Sequence, residues 1–343
     1  MNYNSGSQNG NAFSNELDTL IRQPITSANL KTLLTATGDL QKALFSKARA
    51  IRHENKIDHC LFRGVIEVSN YCQKKCAYCA MNAGNKSIHR YRMNAQEIVD
   101  VAESIFKSGI SVIFIQSGQD PKVDGILEEA IPAIKNKFGS SILLCIGEKK
   151  PQVYQRLYSL GADSFILKFE TSDPALYEAI TQSDHAERMQ CLNELRTIGY
   201  KIGVGNIIGL PNQTVDSIVK DIELALTIRP NFVSSSPFIP NQGTPLEHLP
   251  NGDFNLTLNC MAIYRILLPK CMVPAVSALE KIQKGGQVMG LNAGANVITI
   301  NFTPPHYREK YSIYSKKRFI VSLDHAMKTA ENANLTPVLN EGP

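Results

Sequence analysis

"SILLCIGEKKPQVYQRLYSLGADSFILKFE" (141–170) reads as a complete strand–helix–strand unit. Its ends, 141–147 and 163–169, are short runs rich in Ile, Leu and Phe. The middle repeats apolar residues at three- and four-residue spacing and stops at a Gly, as helices commonly do. Strands that are apolar on both faces are buried on both faces, which implies parallel pairing. The same alternation extends outward. Before this unit come "FRGVIEVS" (62–69) and "SVIFIQS" (111–117). After it come "KIGVGNII" (201–208), "NFVSSSPF" (231–238), "CMVPAVS" (271–277) and "ANVITIN" (295–301), with amphipathic helical stretches between most of them.

Eight strands alternating with helices predict an α/β fold, a (β/α)8 barrel of the TIM type. An open doubly wound sheet is the competing fold, and the missing Gly-rich fingerprint after the first strand argues against it. Helical periodicity ahead of the first strand adds an N-terminal extension. The expected organisation is a polar, disordered lead over 1–12, a helical extension over 13–58, and a single catalytic barrel domain over 59–343.

The chain has 343 residues, 43% hydrophobic and 20% charged, with a net charge of +5. That is enough to bury a large core, and the charge excess is mild. No basic block points to nucleic acid. No apolar run is long enough to span a bilayer, and the polar start lacks a secretory core, so a cytoplasmic, non-membrane protein is expected. Eight cysteines over this length do not make a disulfide framework, and reduced thiols are available to metal.

Three of them fall within eight positions of "YCQKKCAYC" (71–79): Cys72, Cys76 and Cys79, spaced C-x3-C-x2-C directly after the first strand. In a barrel, this is where active-site loops lie. A partial zinc site is one reading, but structural zinc closes with four ligands, and the nearest candidate, His89, sits in a basic run. Three thiolates can instead hold three irons of a 4Fe–4S cluster and leave the fourth iron open.

This spacing, with Tyr78 before the third cysteine, resembles the radical S-adenosylmethionine superfamily. "RYRM" (90–93), "IQSGQDP" (115–121), "KFETSDPALY" (168–177), "NIIGLPNQT" (206–214), "PFIPNQGTPL" (237–246) and "TPPHYREKYSIY" (303–314) extend the likeness. They resemble the FeFe-hydrogenase maturases of the HydE type, in the group that includes biotin synthase and methylornithine synthase. The resemblance implies an enzyme that cleaves S-adenosylmethionine reductively to a 5′-deoxyadenosyl radical. The expected cofactors are a 4Fe–4S cluster on Cys72, Cys76 and Cys79, and S-adenosylmethionine itself. By the same resemblance, Tyr78 lies by the adenine and the segment Ser117-Gly118-Gln119 holds the methionine amino group. Glu170 accepts the ribose hydroxyls, Arg188 pairs with the methionine carboxylate, and the segment with Gly205, Ile207 and Gly209 contacts adenine. Glu148, after the third strand, joins this set; solvent exposure beside two lysines is its other reading. A structural ion pair with Lys168 is the other reading of Glu170, and a solvated helix face that of Arg188.

Lys168, Ser277, His306 and Tyr307 are expected at the substrate cavity. Lys168 stands where the family has Arg, and Val276-Ser277 where it has a Thr pair, which weakens an anion pocket of the HydE type. The expected substrate is a small organometallic iron–cysteine precursor of the hydrogenase cofactor. The alternative is a related enzyme acting on another small molecule, such as an amino-acid rearrangement of the methylornithine-synthase kind. A low-potential electron donor and companion hydrogenase maturases are the expected partners, with no nucleic acid and no membrane. A non-catalytic iron–sulfur or zinc scaffold is the reading from outside the enzymes. Cys145, in a strand, and Cys191 and Cys260, in helices, read as core packing.

Overall fold

The computed structural model describes residues 15–314 and 318–339, so the expected lead over 1–12 lies outside the described residues. Among the described residues there are eight strands: β1 (His59–Ser69), β2 (Val112–Ser117), β3 (Ser141–Cys145), β4 (Ser164–Ile166), β5 (Lys201–Ile208), β6 (Phe232–Pro237), β7 (Val297–Asn301) and β8 (Thr336–Val338). Every pairing between these strands is parallel, in the order β6-β5-β4-β3-β2-β1-β7, with β8 on the foot of β1. Seven strands lie where the apolar runs predict them.

The run at 271–277 departs from expectation. It forms no strand, and it joins β6 to β7 by two isolated parallel bridges, Phe232 to Met272 and Pro274 to Val297. Pro274 has no N–H to give a ladder, so pairing stops after one step on each side. Buried side chains take over the closure. Asn296 Oδ1 accepts from Val273 N–H at 3.0 Å and from Arg265 Nη2 at 2.7 Å, while Arg265 also donates to the carbonyls of Gly294 and Pro269. β8 was not foreseen. At three residues, one of them Pro337, it carries no periodicity that could be read.

The expected extension appears as α1 (Ser27–Leu34) and α2 (Gly38–Glu54). Their apolar stripe of Leu30, Leu33, Leu34, Leu44 and Ala48 is buried. Outside the barrel wall lie α3 (Ala95–Lys107), α4 (Val123–Phe138), α5 (Pro151–Ser159), α6 (Pro174–Thr181), α7 (His185–Ile198), α8 (Val215–Ile228) and α9 (Phe254–Leu267). Asn259 on α9 donates to the carbonyls of Leu34 and Ala36 at 2.8 and 2.9 Å, which satisfies the open end of α1 and docks the extension. Asn94 and Glu97 form a reciprocal cap on α3, which sets where that helix begins after the cysteine loop. Among the described residues no helix is long and apolar enough to cross a membrane.

Candidate active site

β1 delivers the chain to the top of the barrel at Ser69, and the cysteine loop follows. Side-chain donors that reach backbone carbonyls hold it in shape. Arg90 donates to the carbonyls of Asn70, Met81, Asn82 and Asn85, at 2.5 to 3.0 Å, and so ties both ends of the loop to one guanidinium. Asp120 accepts a two-point bond from Arg92 (2.7 and 3.0 Å) and one from Ser69 Oγ (2.7 Å), which fixes the loop to the end of β2. Gly118 packs directly behind it: a Cβ there would sit 2.2 Å from Tyr71 O and 2.9 Å from Cys72 Cβ.

Cys72, Cys76 and Cys79 all line one chamber at the mouth of the barrel. Burial pushes the Cys76 thiol up to about 12 and the Cys79 thiol higher still, and the neighbouring thiols add to both shifts. Thiolates crowded here need a compensating cation. Among the described residues no three His, Cys, Asp or Glu side chains converge as a mononuclear ion requires. A cubane takes each thiolate on a separate iron, so its ligands surround a cluster and do not meet at a point, and Cys72, Cys76 and Cys79 border one chamber. The Gln119 N–H reaches Cys72 Sγ at 3.4 Å, the kind of contact that tunes a sulfur ligand. Three cysteines on one chamber, with a backbone N–H on one sulfur, fit an iron–sulfur cluster.

Two chambers, of about 260 and about 150 Å³, share a wall that includes Cys145, Ile166, Lys168 and Tyr314. Together they have the scale of a small-molecule site. Tyr78, Ser117, Gly118, Gln119, Lys168, Glu170, Arg188 and Ile207 line the upper chamber. Glu148 lies just behind it and is not solvent-exposed. Its Oε1 takes Arg188 Nε at 2.7 Å and its Oε2 takes Lys74, while Gln119 Oε1 accepts the Glu148 N–H at 3.0 Å. Burial would raise the Glu148 carboxyl, but Arg188 and Lys74 hold it below the usual range. Arg188 is buried, not solvated, and also donates to Lys168 O at 2.6 Å.

Lys168 Nζ does stand 3.0 Å from Glu170 Oε2, yet that oxygen accepts no well-aligned hydrogen bond among the described residues. The ion pair is real but off-angle, so this buried carboxylate oxygen keeps unused acceptor capacity beside the chamber that Glu170 lines. Glu170 has φ +63°, a conformation that L side chains other than Asn and Asp seldom adopt.

Several expected residues lie elsewhere. Gly205 and Gly209 do not line either chamber. A Cβ on Gly205 would meet Ser234 O at 2.3 Å, and one on Gly209 would meet Gly252 Cα at 2.4 Å, so both glycines admit neighbouring backbone. His306 is exposed. Tyr307 stacks on Tyr91 (centroids 4.7 Å apart) with its hydroxyl on Glu97, because the preceding Pro304-Pro305 turns this segment outward. Tyr311 and Tyr314 face the chambers instead. Ser277 lines the lower chamber with Lys168. Cys145 packs against the Val65, Phe114 and Leu143 cluster, in line with core packing, and also lines both chambers.

Three features of the two chambers escaped sequence reading. Arg63 on β1 lies over the Phe114 ring at 4.7 Å and donates to Thr299 Oγ1 at 2.6 Å; burial lowers its pKa to about 10. Arg318 pairs at two points with Glu67, itself 1% exposed. Tyr311, 1% exposed, has a hydroxyl without a hydrogen-bond partner among the described residues. Two charged residues in strand-like runs, and a tyrosine in a loop, carry no periodic signal.

A parallel barrel with a three-cysteine loop above buried chambers defines a class of radical enzymes, and comparison with known proteins agrees. Residues 66–225 match the family model of the Radical SAM superfamily, and residues 234–337 that of the Biotin and Thiamin Synthesis associated domain. The chain belongs to the radical S-adenosylmethionine superfamily, whose enzymes use a 4Fe–4S cluster and S-adenosylmethionine. More particularly, it is 37% identical over 313 residues to the [FeFe] hydrogenase maturase subunit HydE of Thermotoga maritima, covering 90% of each chain. It is 29% identical over 280 residues to 3-methylornithine synthase of Methanosarcina acetivorans, covering 80% of this chain and 79% of that one. The crystal structure of a methylornithine synthase superposes with a TM-score of 0.82 at 23% identity, over 95% of this chain and 97% of the other.

Proposed function

We propose that residues 59–343 form one catalytic domain, carrying the helical extension 13–58, that acts as a HydE-type maturase on a small organometallic iron–cysteine species. Cys72, Cys76 and Cys79 hold the cluster and leave one iron open. When bound, the cluster supplies the electron that splits S-adenosylmethionine. Glu170 accepts the ribose hydroxyls, Arg188 meets the methionine carboxylate, and Ser117, Gly118 and Gln119 wall the amino group. Tyr78 and Ile207 flank the adenine, and Glu148 orients Arg188. The buried walls keep water away from the reacting atoms.

The observation that carries this reading is the join between chambers: the cysteine-lined mouth opens onto a floor with Arg63, Lys168 and Ser277. Among the described residues the side-chain hydrogen-bond partner of Arg63 is a neutral hydroxyl, and a buried guanidinium so placed favours an anion such as the carboxylate of a cysteine-derived ligand. Companion hydrogenase maturases and a low-potential electron donor are the partners, in the cytoplasm. The likeness to methylornithine synthases favours one second reading, an amino-acid rearrangement at the same floor.

The test is anaerobic reconstitution, reduction with dithionite, addition of S-adenosylmethionine, and measurement of 5′-deoxyadenosine beside Cys76→Ala. Product in the parent alone supports the reading, and zinc in place of iron and sulfide sinks it. A product assay with lysine separates the second reading from the first.

A further inference from the structure

The Glu170 backbone is bent as well as left-handed. The Thr171 N–H reaches back to Phe169 O at 2.8 Å, closing a three-residue turn around Glu170. Turns of this kind with positive φ are rare and strained, and they persist only where their surroundings over-determine them. β5 supplies part of that restraint. Glu170 N–H donates to Gly205 O at 3.0 Å, and Ile207 N–H donates to Glu170 O at 2.8 Å, so Asn206 lies directly opposite Glu170.

The rest comes from behind the barrel wall. Asp221 on α8 is fully buried and lines neither chamber. Its Oδ1 accepts the Ser172 N–H at 2.6 Å, Ser172 Oγ at 2.7 Å and, more weakly, Thr171 Oγ1 at 3.5 Å. Its Oδ2 accepts Asn206 Nδ2 at 3.1 Å. One carboxylate therefore grips the two residues after Glu170 and the residue across from it. Burying a carboxylate is costly, and four donors on a single group that touches no ligand call for a purpose.

We propose that Asp221 is a positioning residue for the cosubstrate: it clamps the strained turn that aims the Glu170 carboxylate into the upper chamber. The inference rests on the reading of Glu170 as the ribose ligand. Asp221→Ala removes every tie. Asp221→Asn is the conservative control. It keeps an acceptor for Ser172, and its amide can donate to Asn206 Oδ1, which has no hydrogen bond among the described residues, once the Asn206 amide reverses.

The experiment is equilibrium binding of S-adenosylmethionine, and of its 2′-deoxyribose analogue, to anaerobically reconstituted protein. The parent should bind S-adenosylmethionine about tenfold more tightly than the analogue. In Asp221→Ala the first affinity should fall about tenfold while the analogue's stays within about twofold, so that discrimination disappears, and Asp221→Asn should restore it. Should Asp221→Ala fail to fold, the double variant Thr171→Val, Ser172→Ala removes the hydroxyl ties alone and should lower discrimination about threefold. Equal losses for both ligands, or unchanged discrimination, overturn the proposal. Glu170→Gln is measured alongside: if it leaves discrimination intact, the ribose assignment itself is wrong, a different failure from Asp221→Ala being silent beside an affected Glu170→Gln.

Discussion

Gly118→Ala tests whether the end of β2 forms the back support of the cysteine loop. A methyl at this position would lie 2.2 Å from Tyr71 O, where ordinary contact begins at 3.4 Å, so the carbonyl must retreat by about 1 Å. Nothing flexible can absorb that shift. The second clash is with Cys72 Cβ at 2.9 Å, and the Gly118 N–H is already committed to Ser69 O at 3.1 Å. The displacement therefore passes to Cys72. Overpacking of this kind costs about 1–3 kcal/mol, and a catalytic group moved by about 1 Å can lose about 100-fold in rate. Gly84→Ala is the control on the same loop, because its only close neighbour is Asn82 Oδ1 at 3.1 Å. Iron and sulfide content after anaerobic reconstitution, with the thermal midpoint, reads the outcome. Gly84→Ala should load like the parent, and Gly118→Ala should load less than about half as much cluster with a lowered midpoint. Full loading of Gly118→Ala at an unchanged midpoint would refute the argument.

Other perturbations address the scaffold. Arg318→Met strands the buried Glu67 carboxylate and should lower stability by about 3–5 kcal/mol in urea unfolding, with Glu67→Gln added to Arg318→Met recovering part of the loss. Gly125→Ala, within α4 and with nothing near its added methyl, should raise stability by about 0.8 kcal/mol, read as a higher thermal midpoint. Asp221 supplies a pH test. Burial raises its folded pKa from 3.8 to about 6 against the bonds from Ser172, Asn206 and Thr171. Its contribution is therefore full below 3.8 and is lost as pH rises through 6, a change of about 3 kcal/mol. Cys260 and Tyr264 face it from α9 and titrate far above this window. The parent should lose stability relative to Asp221→Asn between pH 4 and 6, and parallel curves would remove the argument.

Ion pairing across the two chambers is uneven, and that bears on what enters them. Glu67 is taken by Arg318, and Glu170 stands near Lys168, so each acidic group has a cation of its own. Among the described residues Arg63 has no such partner, and it sits between Phe114 and Thr299. The floor is thus electropositive by one buried guanidinium, and an anionic ligand there would offset the cost of its burial. Lys168 belongs to both chambers. A ribose bound at Glu170 would compete for the carboxylate that now faces this ammonium.

Burial decides what could be read without coordinates. Seven staves of the barrel were legible because a strand covered on both faces must be apolar along its length. The 271–277 run has the same composition, but Pro274 limits its ladder to single bridges, a backbone property that hydropathy cannot register. The cysteine loop was legible from spacing, since the ligands of one cluster lie close in the chain. The glycines at 205 and 209 correctly signalled close approach and said nothing of what approaches; in both cases it is backbone. An acid in an amphipathic helix reads as solvent-facing, and Asp221 breaks that rule only because Thr171 and Ser172 arrive from the loop after β4 and Asn206 from β5. The groups that bind ligand directly cluster at strand ends and can be sought there. The group that aims one of them lies a layer further out, on a helix, where only the fold reveals its partners.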